Sequence, residues 1–408
     1  MNKTIEVEIE AMARGGYGLA RHRGRSLYVP YTIPGERLEA RVTRTDERTT
    51  YAEGLRLLDA SADRVYPRCA HFGPGRCWRC QWQHIAPEAQ RLLKQDVLAE
   101  HLERLGGVSD DIVQPVIASP ADFQYAWHMT FTSLPGGRLG LPTVDERVIA
   151  IEMCHVLHPE LQDLLESLDL NLPNVKRVKL QIGSGLERML VLYMTDEDAP
   201  ELETDLDASV NLLLPDNEPL NLVGESHVRY RVHDRTFRVT AGSYFRANVQ
   251  LVPALVDTVM TMLAPQPDEY ILDLYSGVGV FGAFLAQKAK LVTVVESYPP
   301  AATDAEANLA DLDNVDVIEG TVEAAAGALD GSYDAAVIDP SAALTDEAIL
   351  HIADTGVRRL VYVSGDSATL ARDVRRLGKA GFRIVRAQPF DFAPQTYHVE
   401  TAALLIRR

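Results

Sequence analysis

From about residue 250 onward, apolar strand-like segments alternate with helix-like segments. This alternation predicts a parallel sheet with helices on both faces, the doubly wound α/β arrangement. The last two strand-like segments predict an antiparallel hairpin at one edge of that sheet. In chain order the segments span residues 251–263, 270–274, 282–289, 291–296, 301–309, 315–318, 335–339, 359–364, 368–380, 382–389 and 401–407.

The chain of 408 residues is long enough for several domains, and its patterning predicts three. Residues 1–58 contain short alternating segments separated by Gly and Pro, which predicts a small β domain. Residues 59–240 combine a cysteine-bearing loop, an amphipathic helix at 87–105 and a mainly antiparallel α+β segment. We expect that helix to pack on the third domain, residues 241–408.

The net charge of −18 disfavours nucleic acid as a partner unless the charge is unevenly distributed. It is uneven, because residues 189–228 carry ten acids and residues 299–350 carry twelve, with no Lys or Arg in either block. The remaining residues carry 36 acids and 40 bases, which leaves room for a basic face. Neither a run of eighteen apolar residues nor a signal peptide is present, so we expect a cytoplasmic protein without a membrane partner.

A glycine-rich turn follows the first predicted strand of the third domain, in Ile271-Leu-Asp-Leu-Tyr-Ser-Gly-Val-Gly-Val-Phe281. Gly277 and Gly279 let the backbone approach a ligand at the carboxyl end of the strand. Glu296 ends the next strand, where its carboxylate can accept both ribose hydroxyls of a nucleoside cofactor. The spacing suits NAD as well as S-adenosylmethionine (SAM), but Asp-Leu-Tyr-Ser-Gly-Val-Gly resembles the SAM-binding form.

The four cysteines are Cys69, Cys77, Cys80 and Cys154, with the pattern C-x7-C-x2-C and a fourth thiol farther along the chain. A C-x2-C pair with two further thiols, in a chain without a secretory signal, favours a metal site over disulfides. Zinc and a 4Fe–4S cluster both take four thiolates, so the spacing alone leaves both open.

Several motifs together resemble one family. Residues 15–21 (Gly-Gly-Tyr-Gly-Leu-Ala-Arg) and 29–36 (Val-Pro-Tyr-Thr-Ile-Pro-Gly-Glu) resemble the signatures of a TRAM domain, an OB-like RNA-binding β-barrel. The loop at 69–84 resembles an iron–sulfur loop whose common spacing is C-x5-C-x2-C, with two residues inserted here. With the glycine-rich turn, these motifs resemble the SAM-dependent RNA uracil-C5 methyltransferases over nearly the whole chain.

The resemblance implies a Rossmann-like class I methyltransferase domain at the C-terminus and roles for particular residues. Tyr275, Glu296 and Asp339 match cofactor-binding positions of the family. Glu400, in Tyr397-His-Val-Glu-Thr401, matches the general base that removes the C5 proton. Arg246 replaces a cofactor-binding glutamine, and because Arg cannot accept a hydrogen bond we expect that contact to be altered.

Gly365, in Val361-Tyr-Val-Ser-Gly-Asp-Ser367, stands where the family has its nucleophilic cysteine. Uracil C5 is a poor nucleophile until a thiolate adds at C6, so this change removes the activating step. Ser364 and Ser367 flank the position, but the sequence shows no neighbouring histidine that would activate either hydroxyl. The stretch Asp339-Pro-Ser-Ala-Ala-Leu344 also lacks the Arg and Gly of the family's D-P-P-R-x-G.

These departures predict a family member that binds structured RNA (rRNA or tRNA) and SAM without normal 5-methyluridine formation. One alternative is an active SAM-dependent RNA methyltransferase with a changed target atom or mechanism. A lower-ranked alternative is an iron–sulfur redox or sensing protein. We expect a monomer with no DNA partner.

Overall fold

The computed structural model describes residues 4–46, 49–168, 170, 172–200, 205–329 and 332–407. Within these ranges the strands form one six-stranded sheet, two seven-stranded sheets and one two-stranded hairpin. In the same ranges, no helix is both long and apolar enough to cross a membrane.

The N-terminal sheet is six-stranded, in the order β1-β5-β6-β4-β3-β2. Alternate residues such as Val7, Leu27 and Leu38 face a small apolar core, as the period-2 pattern predicts. Glu36 is fully buried, where Arg64 neutralises its carboxylate and joins the sheet to the following loop. The strands are β1 (Thr4–Glu8), β2 (Ala11–Ala13), β3 (Tyr17–His22), β4 (Arg25–Val29), β5 (Arg37–Thr45) and β6 (Thr49–Asp59).

The central part begins with a long helix, α1 (Pro87–His101), which continues as a π-helical turn over Leu102–Gly106. A short 3-10 turn follows at Asp110–Ile112. The second sheet has the order β13-β12-β11-β10-β7-β8-β9, antiparallel except between β11 and β12. Its elements are β7 (His128–Ser133), β8 (Leu139–Pro142), β9 (Val148–Ala150), α2 (Pro159–Ser167), β10 (Val175–Ile182), β11 (Arg188–Met194), β12 (Ser209–Leu213) and β13 (Pro219–Val223).

The C-terminal part starts with the hairpin β14 (His227–Val232) and β15 (Arg235–Thr240), followed by alternating helices and strands. These are α3 (Val252–Leu263), β16 (Tyr270–Leu274), α4 (Val280–Leu285), β17 (Leu291–Glu296), α5 (Pro299–Leu309), β18 (Val315–Glu319), α6 (Val322–Ala325), β19 (Ala335–Ile338), α7 (Asp346–Asp354), β20 (Arg359–Ser364), α8 (Ser367–Lys379), β21 (Phe382–Phe390) and β22 (Glu400–Arg407). Short 3-10 turns lie at Val249–Leu251 and Ala326–Ala328.

The third sheet has the order β18-β17-β16-β19-β20-β22-β21. Its first five strands are parallel, and β22 runs antiparallel to both β20 and β21. The predicted parallel sheet and its terminal antiparallel hairpin are therefore confirmed. The chain leaves β16 toward β17 on one side and returns to β19 on the other, so a crevice opens at the carboxyl ends of these strands.

Helix α1 packs on the C-terminal part, although it precedes the central sheet in the chain. Leu98 and Leu102 share an apolar cluster with Leu370 of α8. Lys94 is fully buried, and its ammonium pairs with the carboxylate of Asp391, which follows β21. Burial lowers the pKa of Lys94, and Asp391 opposes that shift by stabilising the ammonium. Truncating either partner would leave a buried unpaired charge, so this pair fixes α1 against the third sheet.

Candidate functional site

A crevice of about 650 Å³ lies at the carboxyl ends of β16, β17, β19 and β20. Most residues predicted for the site meet there, although they come from six separate segments. Those lining the crevice are Tyr275, Gly277, Glu296, Asp339, Arg246, Gly365 and Glu400. Gly279 does not line the crevice. It lies in the turn between β16 and α4.

The turn between β16 and α4 requires its glycines for different reasons. Gly279 has a φ of 84°, and a Cβ there would lie 2.9 Å from Leu309 Cδ1, so conformation and packing both exclude a side chain. Gly277 has a φ of 58° and open space where a Cβ would project, which leaves its backbone accessible from the crevice. Tyr275 also has a φ of 58°, a conformation that costs energy for a bulky residue and that clusters at functional sites.

Glu296 is held in place by backbone donors. Its Oε2 accepts from the N–H of Gly277 at 2.8 Å, and its Oε1 accepts from the N–H of Tyr298 at 2.7 Å. Each carboxylate oxygen keeps a further lone pair, so both can still accept a hydroxyl. Beneath it, burial raises the pKa of Asp273 to about 8, which makes that carboxyl largely uncharged at neutral pH.

Arg246 lies between two predicted site residues. Its Nη2 is 2.8 Å from Asp339 Oδ2, and its Nε is 2.5 Å from Glu400 Oε1. The guanidinium is 11% exposed, so both ion pairs are shielded from water. Burial raises the pKa of Glu400, and the adjacent guanidinium opposes that rise. The predicted general base therefore serves as a counter-ion to an internal cation.

Gly365 follows β20 and precedes Asp366, the N-cap of α8. A Cβ at this position would meet no heavy atom within 4 Å. A Cβ therefore fits here, and packing does not impose glycine at this position.

One expectation about the hydroxyls near Gly365 is wrong. The ring nitrogen Nδ1 of His101, at the end of α1, lies 2.8 Å from Ser367 Oγ. Burial lowers the pKa of His101, which favours a neutral imidazole that can accept the hydroxyl proton. Ser367 lines a small cavity with Trp82 that adjoins the main crevice and shares Gly365 and Asp366 with it. Its contact with His101 joins α8 to α1. The two residues are 266 positions apart, which explains why local sequence does not show the contact.

Arg14 is a crevice residue that the sequence did not indicate. It belongs to the turn between β2 and β3 of the N-terminal sheet, and its guanidinium lies 3.3 Å from Asp366. Tyr397 and His398, which precede β22, complete this wall. Burial lowers the pKa of His398 to about 4, so its imidazole is neutral at physiological pH. The N-terminal and C-terminal parts of the chain thus both line the crevice.

The cysteines form a second, separate cluster. Cys69, Cys77, Cys80 and Cys154 line one small cavity, and all four are free thiols. Burial raises the pKa of Cys77 to about 11 and also raises that of Cys80. Among the described residues, no three His, Cys, Asp or Glu side chains are arranged as a group that could hold a metal ion. The four donors share a cavity, and a metal centre there stays a prediction.

Comparison with known proteins decides the family. Residues 5–62 match the family described as tRNA (uracil(54)-C(5))-methyltransferase, TRAM domain, and residues 222–408 match tRNA (Uracil-5-)-methyltransferase. The chain is 34% identical to an uncharacterised RNA methyltransferase of Streptomyces avermitilis, over 99% of this chain and 98% of that protein. The chain belongs to the RNA uracil-C5 methyltransferase family. A further member, the 23S rRNA (uracil(1939)-C(5))-methyltransferase RlmD of Pseudomonas fluorescens, is 31% identical over 99% of this chain and 94% of that protein.

A solved structure shows the same architecture. The tRNA (uracil-54, C5)-methyltransferase of Pyrococcus abyssi, in complex with S-adenosyl-L-homocysteine, matches with a TM-score of 0.75 and 22% identity. The match covers 98% of this chain and 100% of that one. The predicted fold class is therefore confirmed, with the family's N-terminal TRAM domain before a class I methyltransferase domain. The present chain has glycine at position 365 and arginine at position 246.

Replacing Arg246 with Gln is expected to destabilise the fold by about 3–5 kcal/mol at pH 8, because it leaves Asp339 and Glu400 without their counter-ion. The loss should be smaller at pH 5. Burial already raises the folded-state pKa of Glu400, and removing Arg246 raises it further. In the variant, protonated Glu400 contributes stability in full below the pKa that this carboxyl has in the unfolded chain. That contribution is lost as the pH rises through its pKa in the folded protein. Urea unfolding at both pH values measures this difference.

The matched control is the double variant Arg246→Gln/Glu400→Gln, in which one of the two unpaired carboxylates is also removed. It should recover part of the stability at pH 8 and show a weaker pH dependence. Equal destabilisation of Arg246→Gln at pH 5 and pH 8 would show that the two ion pairs do not stabilise the crevice.

Proposed function

We propose that this chain binds structured RNA and SAM and does not form 5-methyluridine. The observation that carries the proposal is a pair of changes in one crevice. Gly365 supplies no functional group where the family has a thiol, and Arg246 occupies the carboxylates of Asp339 and Glu400.

The cofactor half of the crevice supports SAM binding. Glu296 is oriented by two backbone donors and keeps acceptor capacity for ribose hydroxyls. The open backbone at Gly277 admits a ligand at the end of β16. A bound SAM would supply an activated methyl group, and the related Pyrococcus enzyme was solved with S-adenosyl-L-homocysteine.

The base-modifying half lacks what 5-methyluridine formation needs. A nucleophile must add to C6 before C5 can accept a methyl group, and a base must then remove the C5 proton. No thiol lines the described part of this crevice, because all four cysteines lie in the separate cavity. Arg246 donates a hydrogen bond to the Glu400 carboxylate and opposes the rise in its pKa that burial causes, so Glu400 is a weaker proton acceptor than it would be without Arg246.

The family and the TRAM domain support RNA as the partner. Curated relatives act on 23S rRNA, and the solved relative acts on tRNA. Arg14 places a cation from the N-terminal sheet beside the crevice, where a phosphate of bound RNA would meet it. A protein that binds RNA without methylating it could recognise or protect an RNA site.

The first test is SAM binding by titration calorimetry. The wild type should bind, and Glu296→Ala should weaken binding about tenfold or more, since two charge-assisted hydrogen bonds to ribose are lost. Glu319→Ala is the matched control, because Glu319 pairs with Glu296 in the adjacent strand and does not line the crevice. Absence of SAM binding by the wild type would contradict the cofactor half of the proposal.

The second test is nucleoside mass spectrometry of rRNA and tRNA transcripts incubated with SAM and enzyme. The wild type should form no 5-methyluridine. Gly365→Cys alone should restore little, because Arg246 still holds Glu400, whereas Gly365→Cys/Arg246→Gln should restore measurable product. Gly365→Ala/Arg246→Gln is the control that opens the carboxylates without a thiol.

Two outcomes of that assay would count against the proposal. Formation of 5-methyluridine by the wild type would overturn it outright. Equal activity of Gly365→Cys with and without Arg246→Gln, in variants shown by thermal melting to be folded at the assay temperature, would show that Arg246 does not restrain Glu400. A different methylated nucleoside would instead favour an active enzyme with a changed target atom, for which the oriented Glu296 is the supporting observation.

We further propose that Cys69, Cys77, Cys80 and Cys154 hold a 4Fe–4S cluster, with zinc as the alternative. The shared cavity and the all-thiol donor set support a metal centre, and four protein ligands would leave no open coordination position. Its role would be to fix the loop between the N-terminal and central sheets. Anaerobic purification followed by iron, sulfide and zinc analysis should find iron with equal sulfide, and Cys80→Ser should lose it. Metal-free protein would contradict both forms of the proposal.

A further inference from the structure

A second cleft, of about 810 Å³, opens on the N-terminal sheet and shares no lining residue with the crevice at the ends of the parallel strands. It is enclosed by residues of strands β3 to β6, by the loop between Cys69 and Cys77, and by the turn between β8 and β9. Its size lies in the range of sites that hold nucleotide-sized ligands.

Tyrosine rings form one face of this cleft, which we call the aromatic cleft. Tyr17, Tyr28 and Tyr51 come from β3, β4 and β6, and Tyr28 lies directly opposite Tyr51 in the parallel β4–β6 register. The rings of Tyr28 and Tyr51 are 5.5 Å apart and tilted by 31°, and Tyr17 meets Tyr51 edge-on at 5.8 Å. All three are only partly buried, so aromatic surface remains available to a ligand.

The cysteine loop builds the opposite wall. Tyr31 Oη donates to the carbonyl of Gly73 at 2.8 Å, and the ring of Phe72 packs edge-on against Tyr31 at 5.2 Å. Pro74 and Gly75 continue the wall. Phe72, Gly73, Pro74 and Gly75 lie between Cys69 and Cys77. This interval carries two more residues than the spacing common in the family. The wall is therefore a property of this lengthened loop.

The charged residues that line the aromatic cleft are mixed in sign, which suits a single phosphate better than a duplex backbone. They are Arg44, Arg56, Arg64, Glu53, Asp145 and Glu146. The guanidinium carbon of Arg44 lies 4.4 Å from the Tyr51 ring centroid. Its ion pair with Asp46 is solvent-exposed and therefore weak, so Arg44 can turn to a phosphate. Asp145 and Glu146 line the far side, where they would repel further phosphates and accept hydrogen bonds from base amino groups.

We propose that the aromatic cleft binds one unpaired nucleobase of the RNA, stacked against Tyr28 and Tyr51, with Arg44 beside its phosphate. This inference rests on the RNA binding of the proposed function and adds a second contact point to it. Base–aromatic stacking tolerates any base, because every base has a flat π face, and an arginine over the ring adds a cation–π contribution.

The test uses an adenosine RNA decamer, an abasic decamer of equal length and fluorescence anisotropy at one fixed salt concentration. The wild type should bind the adenosine decamer more tightly than the abasic one. Tyr51→Leu and Tyr28→Leu should each weaken adenosine-decamer binding about tenfold, as loss of one stacking contact predicts. Tyr51→Phe should bind like the wild type, because the ring is kept.

Tyr193→Leu is the matched control. Tyr193 also lies in a strand beneath an arginine, with Arg177 4.6 Å from its ring centroid, but it does not line the aromatic cleft. It should leave decamer affinity unchanged. Thermal melting of every variant excludes unfolding as the cause of weaker binding.

Three results would overturn the inference: equal affinity for adenosine and abasic decamers, equal weakening by Tyr193→Leu, or binding of a polyproline decamer in place of RNA. A filter-binding assay with folded rRNA and tRNA transcripts separates the two proposals. Transcript binding without decamer binding sinks the aromatic-cleft proposal alone. Decamer binding without transcript binding sinks the proposed recognition of structured RNA alone.

Discussion

The guanidinium of Arg246 is the interaction on which the crevice depends. Four carboxyl groups, of Asp273, Glu296, Asp339 and Glu400, crowd the carboxyl ends of neighbouring strands. Burial keeps Asp273 largely protonated, and backbone N–H groups hold Glu296. The remaining two share one guanidinium, which stabilises both carboxylates in the crevice. The same contact that stabilises the pocket makes its predicted base less available.

Much of the fold follows from sequence because its signals are local. Alternating apolar segments and a glycine-rich turn identify the parallel sheet, and the acid ending β17 lies where the pattern predicts. Both depend on residues within a few positions of one another, where backbone periodicity dominates. The position of Gly365 at the end of β20 is local in the same sense. These elements carry most of the fold and half of the site.

The part of the candidate site that the sequence does not predict consists of contacts between residues that are distant in sequence. Replacing a glutamine with Arg246 predicts that an acceptor is lost, but it does not predict that the guanidinium reaches partners 93 and 154 positions away. The His101–Ser367 contact and the approach of Arg14 to Asp366 are of the same kind. Helix α1 shows the effect on a larger scale, since Lys94 and Leu98 belong to the C-terminal packing although they precede the central sheet. Tertiary packing decides such pairings, and no period in the sequence records them.

The open space beside Gly365 has a consequence for how this protein can change over generations. Some codons of glycine and cysteine differ by a single base, and so do some codons of arginine and glutamine. The two residues that the family resemblance implies, cysteine at 365 and glutamine at 246, can thus each arise by one base change from such codons. With cysteine at position 365 alone, Glu400 would still be paired with Arg246. With glutamine at position 246 alone, the buried carboxylates of Asp339 and Glu400 would lose their counter-ion. Under the proposed function neither single change completes the site, so residues 246 and 365 would have to change together.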